Sequence, residues 1–208
     1  MLTLTDVHKR FGQSEVLSGV TAVFAPGTMA AIVGPSGSGK STLLNILSGH
    51  LTPDRGAVFR GCRTDEISLV MQSSDGLRSR TVCDNVVAPL LRRMPRQQAV
   101  EIAIEALDAL GMKHFAQRTF RDLSGGEAQR TAVARAVACR ARVILADEPS
   151  GQLDASNTLV VVDALHRAAA LGSTVVVVTH DPEVAAACAQ VLRIVNGRVT
   201  EDGELAVR

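Results

Sequence analysis

Met29-Ala30-Ala31-Ile32-Val33 runs without interruption into Gly34-Pro35-Ser36-Gly37-Ser38-Gly39-Lys40-Ser41-Thr42. An unbroken apolar run, with no polar alternation, predicts a strand buried on both faces. The glycine-rich stretch after it fits G-x-x-x-x-G-K-[ST], and residues 41–48 read as a helix. Strand, turn and helix in that order form a cradle for a polyphosphate. The glycines let successive backbone N–H groups point inward, and the helix N-terminus adds the positive end of its dipole. Lys40 is placed for the β- and γ-phosphates of a nucleotide, and the Ser41 hydroxyl for Mg²⁺, with Thr42 behind it.

Working outward, Val143 to Ala146 and Ser173 to Thr179 repeat the buried-strand texture, and Thr158 to Leu171 between them predicts a crossover helix. That alternation implies an α/β fold with a mainly parallel sheet. Upstream, Leu2, Leu4, Val16, Leu17, Val20, Val23 and Phe24 lie in segments broken by Gly12, Gly19 and Pro26-Gly27, which predicts an antiparallel β portion. Downstream, Asn196-Gly197 between Val191–Val195 and Arg198–Thr200 is a two-residue hairpin signal. Residues 75–142 have a different texture, rich in Ala and poor in strand signals. There Pro95 opens a helix with Val100, Ile104 and Leu107 on one face, and Gly111 closes it. The expected organisation is one domain over residues 1–208. Residues 1–74 and 143–208 make the core, and 75–142 an inserted helical subdomain.

The 208 residues carry 22 Lys and Arg against 21 Asp and Glu, with 46% hydrophobic residues, so neither disorder nor an overall pull toward nucleic acid is expected. Charge is unevenly spread: residues 75–142 hold 12 Lys and Arg against 7 Asp and Glu, the remainder 10 against 14. A basic solvated face accounts for that asymmetry, and only Phe115 and Phe120 interleave with the positive charges. No apolar run approaches a membrane span, and Met1-Leu2-Thr3-Leu4 alternates like a strand rather than a signal peptide, so cytosolic residence is expected. Cys62, Cys83, Cys139 and Cys188 are scattered and read as free thiols.

Two further stretches carry chemistry. Val143-Ile144-Leu145-Ala146-Asp147-Glu148 ends an apolar strand in two carboxylates. Asp147 at the strand end can hold Mg²⁺ through water, and Glu148 can act as general base on an attacking water. Leu123-Ser124-Gly125-Gly126-Glu127 precedes a helical stretch over 128–139. Ser124 and Glu127 stand at capping-box spacing, which explains those two residues but not the glycine pair. Adjacent glycines bare backbone N–H groups at a positive helix end and imply a second anion site.

Taken together, the stretch from Gly34 to Ser41, Gln72, Leu123 to Glu127, Asp147-Glu148, Ser150 to Asp154, and His180 resemble, in content and order, the nucleotide-binding subunit of an ATP-binding cassette (ABC) transporter. The resemblance covers nearly the whole chain and implies a P-loop NTPase core. It also implies ATP with Mg²⁺, and two copies of the chain sandwiching two nucleotides. Ser124, Gly125, Gly126 and Glu127 would then meet the nucleotide of the other copy. Gln72 would sense the γ-phosphate and Mg²⁺, His180 would contact the γ-phosphate, and Asp154 would lie in a loop linking the two sites. Phe11 falls where the family presents an aromatic ring to adenine.

More narrowly, Glu127, the Gly151-Gln152-Leu153-Asp154 segment and the chain length resemble the lipoprotein-releasing, macrolide-exporting and haem-exporting ATPases. That resemblance implies an integral membrane permease as partner, which would hold the chain peripherally at the cytoplasmic face. Gln152 replaces the group's usual Asn, Ala128 its frequent Gln, and Ser73 to Arg80 is polar where relatives are apolar. A regulator of a cell-division or cell-wall complex, driven by the same ATPase, is the alternative. DNA-repair and ribosome-associated ABC proteins carry a coiled-coil insert or a second cassette that this sequence lacks, so no nucleic-acid partner is expected.

Overall fold

The computed structural model describes residues 1–72 and 76–200. The polar stretch beginning at Ser73 therefore lies partly outside the described residues. β1 (Leu2–Phe11) turns at Gly12-Gln13 into β2 (Ser14–Phe24). The sequence then supplies β3 (Met29–Val33), α1 (Lys40–Ser48), β4 (Arg55–Arg60), β5 (Ile67–Val70) and α2 (Val82–Val87). Next come α3 (Arg96–Ala109), α4 (Gly125–Ala138), β6 (Val143–Asp147) and α5 (Ala155–Ala170). The described chain finishes with β7 (Thr174–Val178), α6 (Pro182–Ala186), β8 (Gln190–Val195) and β9 (Arg198–Val199).

A three-stranded antiparallel sheet has the order β2-β1-β4, and a six-stranded sheet the order β5-β6-β7-β3-β8-β9. In the larger sheet β5, β6, β7, β3 and β8 are parallel, and β9 returns antiparallel around Asn196-Gly197. The P-loop NTPase core, its mainly parallel sheet and the antiparallel N-terminal portion are thus present as the sequence predicts.

The unbroken apolar strands are explained by what covers each face. Side chains alternate along a strand. Met29, Ile144, Val175 and Val177 enter one hydrophobic cluster with α2, α3, α4 and α5. Ala30, Ile32, Leu145, Val176 and Val178 enter a second, with α1 and the antiparallel sheet. α1 is tied to the antiparallel sheet by Arg60 of β4, whose guanidinium donates to the carbonyls of Leu47, at 2.8 Å, and Ile46. The Ile46 carbonyl also accepts the Gly49 N–H at 3.1 Å, and a cation beside these last-turn carbonyls suits the helix dipole.

Some details differ from the sequence reading. α5 begins at Ala155, three residues before the expected Thr158, because Asp154 caps it by accepting from the Asn157 N–H at 2.8 Å. α4 begins at Gly125 instead of 128, since the Ser124–Glu127 capping box forms and carries both glycines into the first turn. In α3 the fully buried stripe is Ala99, Ala103, Ala106 and Leu107, while Val100 and Ile104 are only half-buried. Alanine lets α3 approach α2 and α4 closely, and the branched residues flank that contact. The four cysteines are free, and burial pushes the Cys188 thiol up to about 12.

Ala103 is therefore a close-packing position. Ala103→Leu should destabilise the fold by about 1–3 kcal/mol through overpacking, read from urea unfolding midpoints. An unchanged midpoint would show that α3 has room on that face.

Candidate active site

The site is assembled at the carboxyl edge of four neighbouring strands. Gly34 follows β3, His180 follows β7, Glu148 follows β6, and Gln72 follows β5. At β3 the chain makes the phosphate loop. Gly34 has φ +151° and Gly37 φ +76°. A Cβ on Gly34 would collide with the Ile194 carbonyl of β8, whereas one on Gly37 would meet nothing within 4 Å. Ser38 donates its N–H to the Pro35 carbonyl at 3.2 Å, and its own carbonyl accepts from Gly197 at 3.1 Å. Lys40 Nζ donates to the carbonyls of Gly34 and Pro35, both at 2.8 Å, which turns the ammonium back over the loop. Pro35, Ser36, Gly37 and Ser41 are exposed, and Ser38 Oγ is buried with no hydrogen-bond partner among the described residues.

Asp147 is the last residue of β6 and is 9% exposed. Burial pushes its carboxyl above the usual carboxylate range, opposed by a hydrogen bond with Ser41 and by the charge of Lys40, and reinforced by Glu148. A buried carboxylate beside a serine hydroxyl is a hard-oxygen pair. It therefore fits a divalent cation such as Mg²⁺. Glu148 leaves the strand at φ +49°, a conformation costly for a residue with a side chain, while its N–H stays on the Val178 carbonyl at 2.9 Å. That bend turns its carboxylate toward His180: Oε1 lies 2.9 Å from Nδ1, and Oε2 accepts the His180 N–H at 3.4 Å. Glu148 holds the His180 imidazole above its usual range, first through that hydrogen bond and then through charge. Lys40, Ser41, Asp147, Glu148 and His180 thus form one interacting set.

Gln72 is exposed at the end of β5. The carbonyl before it, on Met71, accepts from the Gln129 side chain at 3.4 Å. Gln129 is 1% exposed and belongs to α4, so the helix that begins at Ser124 touches the segment carrying Gln72. Sequence reasoning missed Gln129, although a signal was available. It falls on the same helical stripe as buried Ala132, Val133 and Ala136, a polar residue on an apolar face.

Ser124, Gly125, Gly126 and Glu127 form a second unit with Asp154. Ser124 Oγ accepts the Glu127 N–H at 3.3 Å, and Glu127 Oε2 accepts the Ser124 N–H at 2.7 Å. Arg118 lies 3.6 Å from the other Glu127 oxygen, so this carboxylate is occupied within its own cap. Gly126 has a reason beyond baring its N–H, whereas at Gly125 only the movable tip of Gln152 stands in the way. A Cβ on Gly125 would collide with the Gln152 amide, and one on Gly126 would come within 3.0 Å of the Gln152 carbonyl oxygen. Gln152 therefore packs on the start of α4, and Asp154, two residues on, caps α5. α4 packs in the cluster on one sheet face, while α1, with the phosphate loop at its head, packs in the cluster on the other. The two glycine-rich helix starts are thus on opposite sides of the sheet. Phe11 lies at the tip of β1 and is 52% exposed.

Comparison with known proteins agrees with this geometry. A family profile described as "ABC transporter" matches residues 17–151. The lipoprotein-releasing system ATP-binding protein LolD of Bacteroides fragilis is 36% identical, the alignment covering 96% of this chain and 100% of LolD. The macrolide export ATP-binding/permease protein MacB of Rhodospirillum rubrum is 37% identical over 97% of this chain, which spans 34% of that longer protein. In structure, the chain is similar to the ATP-binding cassette MJ0796, described in a dimeric post-hydrolysis state bound to ADP and Pi. The TM-score is 0.87, at 32% identity over 97% of each chain.

The phosphate loop should show unequal glycines. Gly37→Ala should cost about 1–2 kcal/mol, the penalty of a left-handed conformation in open space. Gly34→Ala should cost more, because the β8 backbone has to give way. Chemical denaturation without nucleotide measures both, and equal costs would contradict the close approach to Ile194.

Proposed function

The chain belongs to the ABC transporter family as an ATP-binding and ATP-hydrolysing subunit, and from that premise we propose that it acts as a nucleotide-sandwich dimer driving a separate membrane permease. The observation that carries this reading is the separation of the two glycine-rich helix starts. α1 and α4 pack in different clusters on opposite sheet faces, and on this reading the phosphate loop and the second helix end of one chain serve different nucleotides. A second copy, turned so that its α4 faces the first copy's α1, completes each site.

In each site, Gly34, Pro35, Ser36, Gly37, Ser38, Gly39, Lys40, Ser41 and Thr42 wrap the phosphates of ATP, and Phe11 stacks on the base. Ser41 and Asp147, with Gln72, would hold Mg²⁺, which would supply neutralisation of the phosphate charge. Glu148 takes a proton from the attacking water as the water oxygen bonds to the γ-phosphorus and the bond to the bridging oxygen of ADP breaks. The 2.9 Å contact with His180 supports that role, since it fixes the direction of the Glu148 carboxylate. His180 is free to offer Nε2 to the γ-phosphate. Ser124, Gly125 and Gly126 act on the nucleotide of the other copy, Glu127 holds their turn, and Asp154 anchors the loop between the sites.

Residues 75–142 work as a helical subdomain against the core of 1–74 and 143–208, with Gln129 relating Gln72 to the start of α4. Among the described residues no helix is long and apolar enough to cross a membrane. A peripheral place at the cytoplasmic face, held by the permease, follows from the reading as a transporter subunit. The full-length match to the lipoprotein-releasing LolD and the partial match to the exporter MacB support an exporter or force-transmitting system.

Glu148→Gln separates binding from cleavage. The amide is nearly isosteric but accepts no proton, so kcat should fall by about 10²–10⁴-fold while ATP still binds. The variant should elute as a dimer with ATP and Mg²⁺ and as a monomer with ADP. Near-wild-type hydrolysis would remove Glu148 as the base.

A further inference from the structure

Phe11 ends β1, and the two residues before it are held in an unusual way. Lys9 and Phe11 come together at the end of β1. The Lys9 ammonium stands over the Phe11 ring, 5.6 Å from its centroid. A surface lysine ordinarily keeps its ammonium in water. Here the side chain is only 12% exposed, and Nζ donates to the Thr52 carbonyl at 3.0 Å and to Asp54 Oδ1 at 2.8 Å. Asp54 in turn grips the strand. Its Oδ2 accepts the Arg10 N–H at 2.7 Å, and its own N–H donates to the His8 carbonyl at 2.9 Å. The Lys9 hydrogen bond, followed by that of Arg10, holds the Asp54 carboxyl below the usual carboxylate range.

The clamp has a purpose that the β-ladder does not serve. The β1–β2 register is irregular between Val7 and Lys9 and again between Lys9 and Arg10, so pairing with β2 does not by itself fix the angle of the tip. The loop at residues 52–54 instead engages His8, Lys9 and Arg10 in succession, immediately before the exposed ring. Closing that loop onto β1 would need Asp54 and the backbone alone; it would not need a cation over an aromatic face.

We propose that Lys9 and Asp54 are positioning residues for nucleotide binding: Asp54 pins the Lys9 ammonium, and Lys9 covers one face of Phe11 so that the other is presented to the base of ATP. The inference rests on the reading of Phe11 as the base platform. A ring ordered before the nucleotide arrives loses less entropy on binding. The contribution belongs to binding and not to the phosphoryl-transfer step, because the ring does not touch the reacting atoms.

The test is a mutant cycle read by ATP titration and steady-state hydrolysis. Lys9→Met keeps the buried stem and removes the cation. It should raise KM and Kd for ATP by roughly three- to fivefold, the worth of a partly exposed cation–π contact. kcat should move by less than about twofold, the pattern of lost uniform binding. Lys9→Arg should restore affinity. Asp54→Asn, which keeps the acceptor for Arg10 and weakens the hold on Lys9, should shift KM in the same direction and serves if Lys9→Met folds poorly. Phe11→Ala should raise KM about tenfold, as loss of base stacking does, and adding Lys9→Met to it should raise KM no further. If Phe11→Ala weakens binding but neither Lys9→Met nor Asp54→Asn does, or if their effects persist undiminished without the ring, the positioning role is wrong while the platform stands. If Phe11→Ala leaves KM unchanged, the platform reading fails and takes the positioning role with it.

Discussion

The structure depends on how tightly the phosphate loop is held by backbone from elsewhere in the chain. At Gly34 the loop presses against the Ile194 carbonyl of β8, and at Gly39 an added Cβ would come within 2.8 Å of the Val16 carbonyl oxygen of β2. Gly197, in the β8–β9 turn, donates to Ser38 at 3.1 Å and accepts from Ser18 of β2 at 2.8 Å. The loop is thereby clamped between the antiparallel sheet and the last hairpin of the parallel one. A polyphosphate site needs N–H groups fixed in advance, because reorganising them at each binding event would cost the affinity they provide. Arg60 at the far end of α1 serves the same end, holding the helix whose first residues are Lys40 and Ser41.

The candidate groups fall in two places in the described chain. Its sheet gathers one set of candidate groups along one edge, from Gln72 through Glu148 and His180 to Gly34. The start of α4, packed on one sheet face while α1 packs on the other, carries a second glycine-rich turn whose Ser124 and Gly125 are exposed. Glu127 and Gln152 hold that turn from behind, so it is a formed surface. Gln129 and the Met71 carbonyl then give the two units a direct contact inside one chain, through which the end of β5 and the start of α4 bear on each other.

Much of this was legible in the sequence, and the exceptions share a physical pattern. β3, β6 and β7 were readable because strands covered on both faces are apolar throughout. β4 and β5 were not, being edge strands, short and interrupted by Arg, Gly or Ser, as edges tend to be. The α3 face read from Val100, Ile104 and Leu107 does pack on the core, but periodicity weights the branched residues above alanine, so the deeper Ala99, Ala103 and Ala106 stripe was not legible. The motifs placed the site residues in order along the chain, but spacing carries no information about which helix lies on which face. Nor could it reveal that Gly126 lies tight against the Gln152 carbonyl, or that Glu148 takes a left-handed turn, since both depend on how distant segments meet.

The central claim, that the α4 turn of one chain completes the phosphate loop of another, is tested most directly by complementation. Lys40→Ala and Gly125→Asp chains, each inactive alone, are mixed and their heterodimers verified by differential tags. Completion between chains leaves one composite site intact and the other carrying both lesions, so ATP hydrolysis returns to a fraction of the wild-type rate. If verified heterodimers stay as inactive as either parent, each chain must use its own α4 turn, and the account of the dimer is wrong.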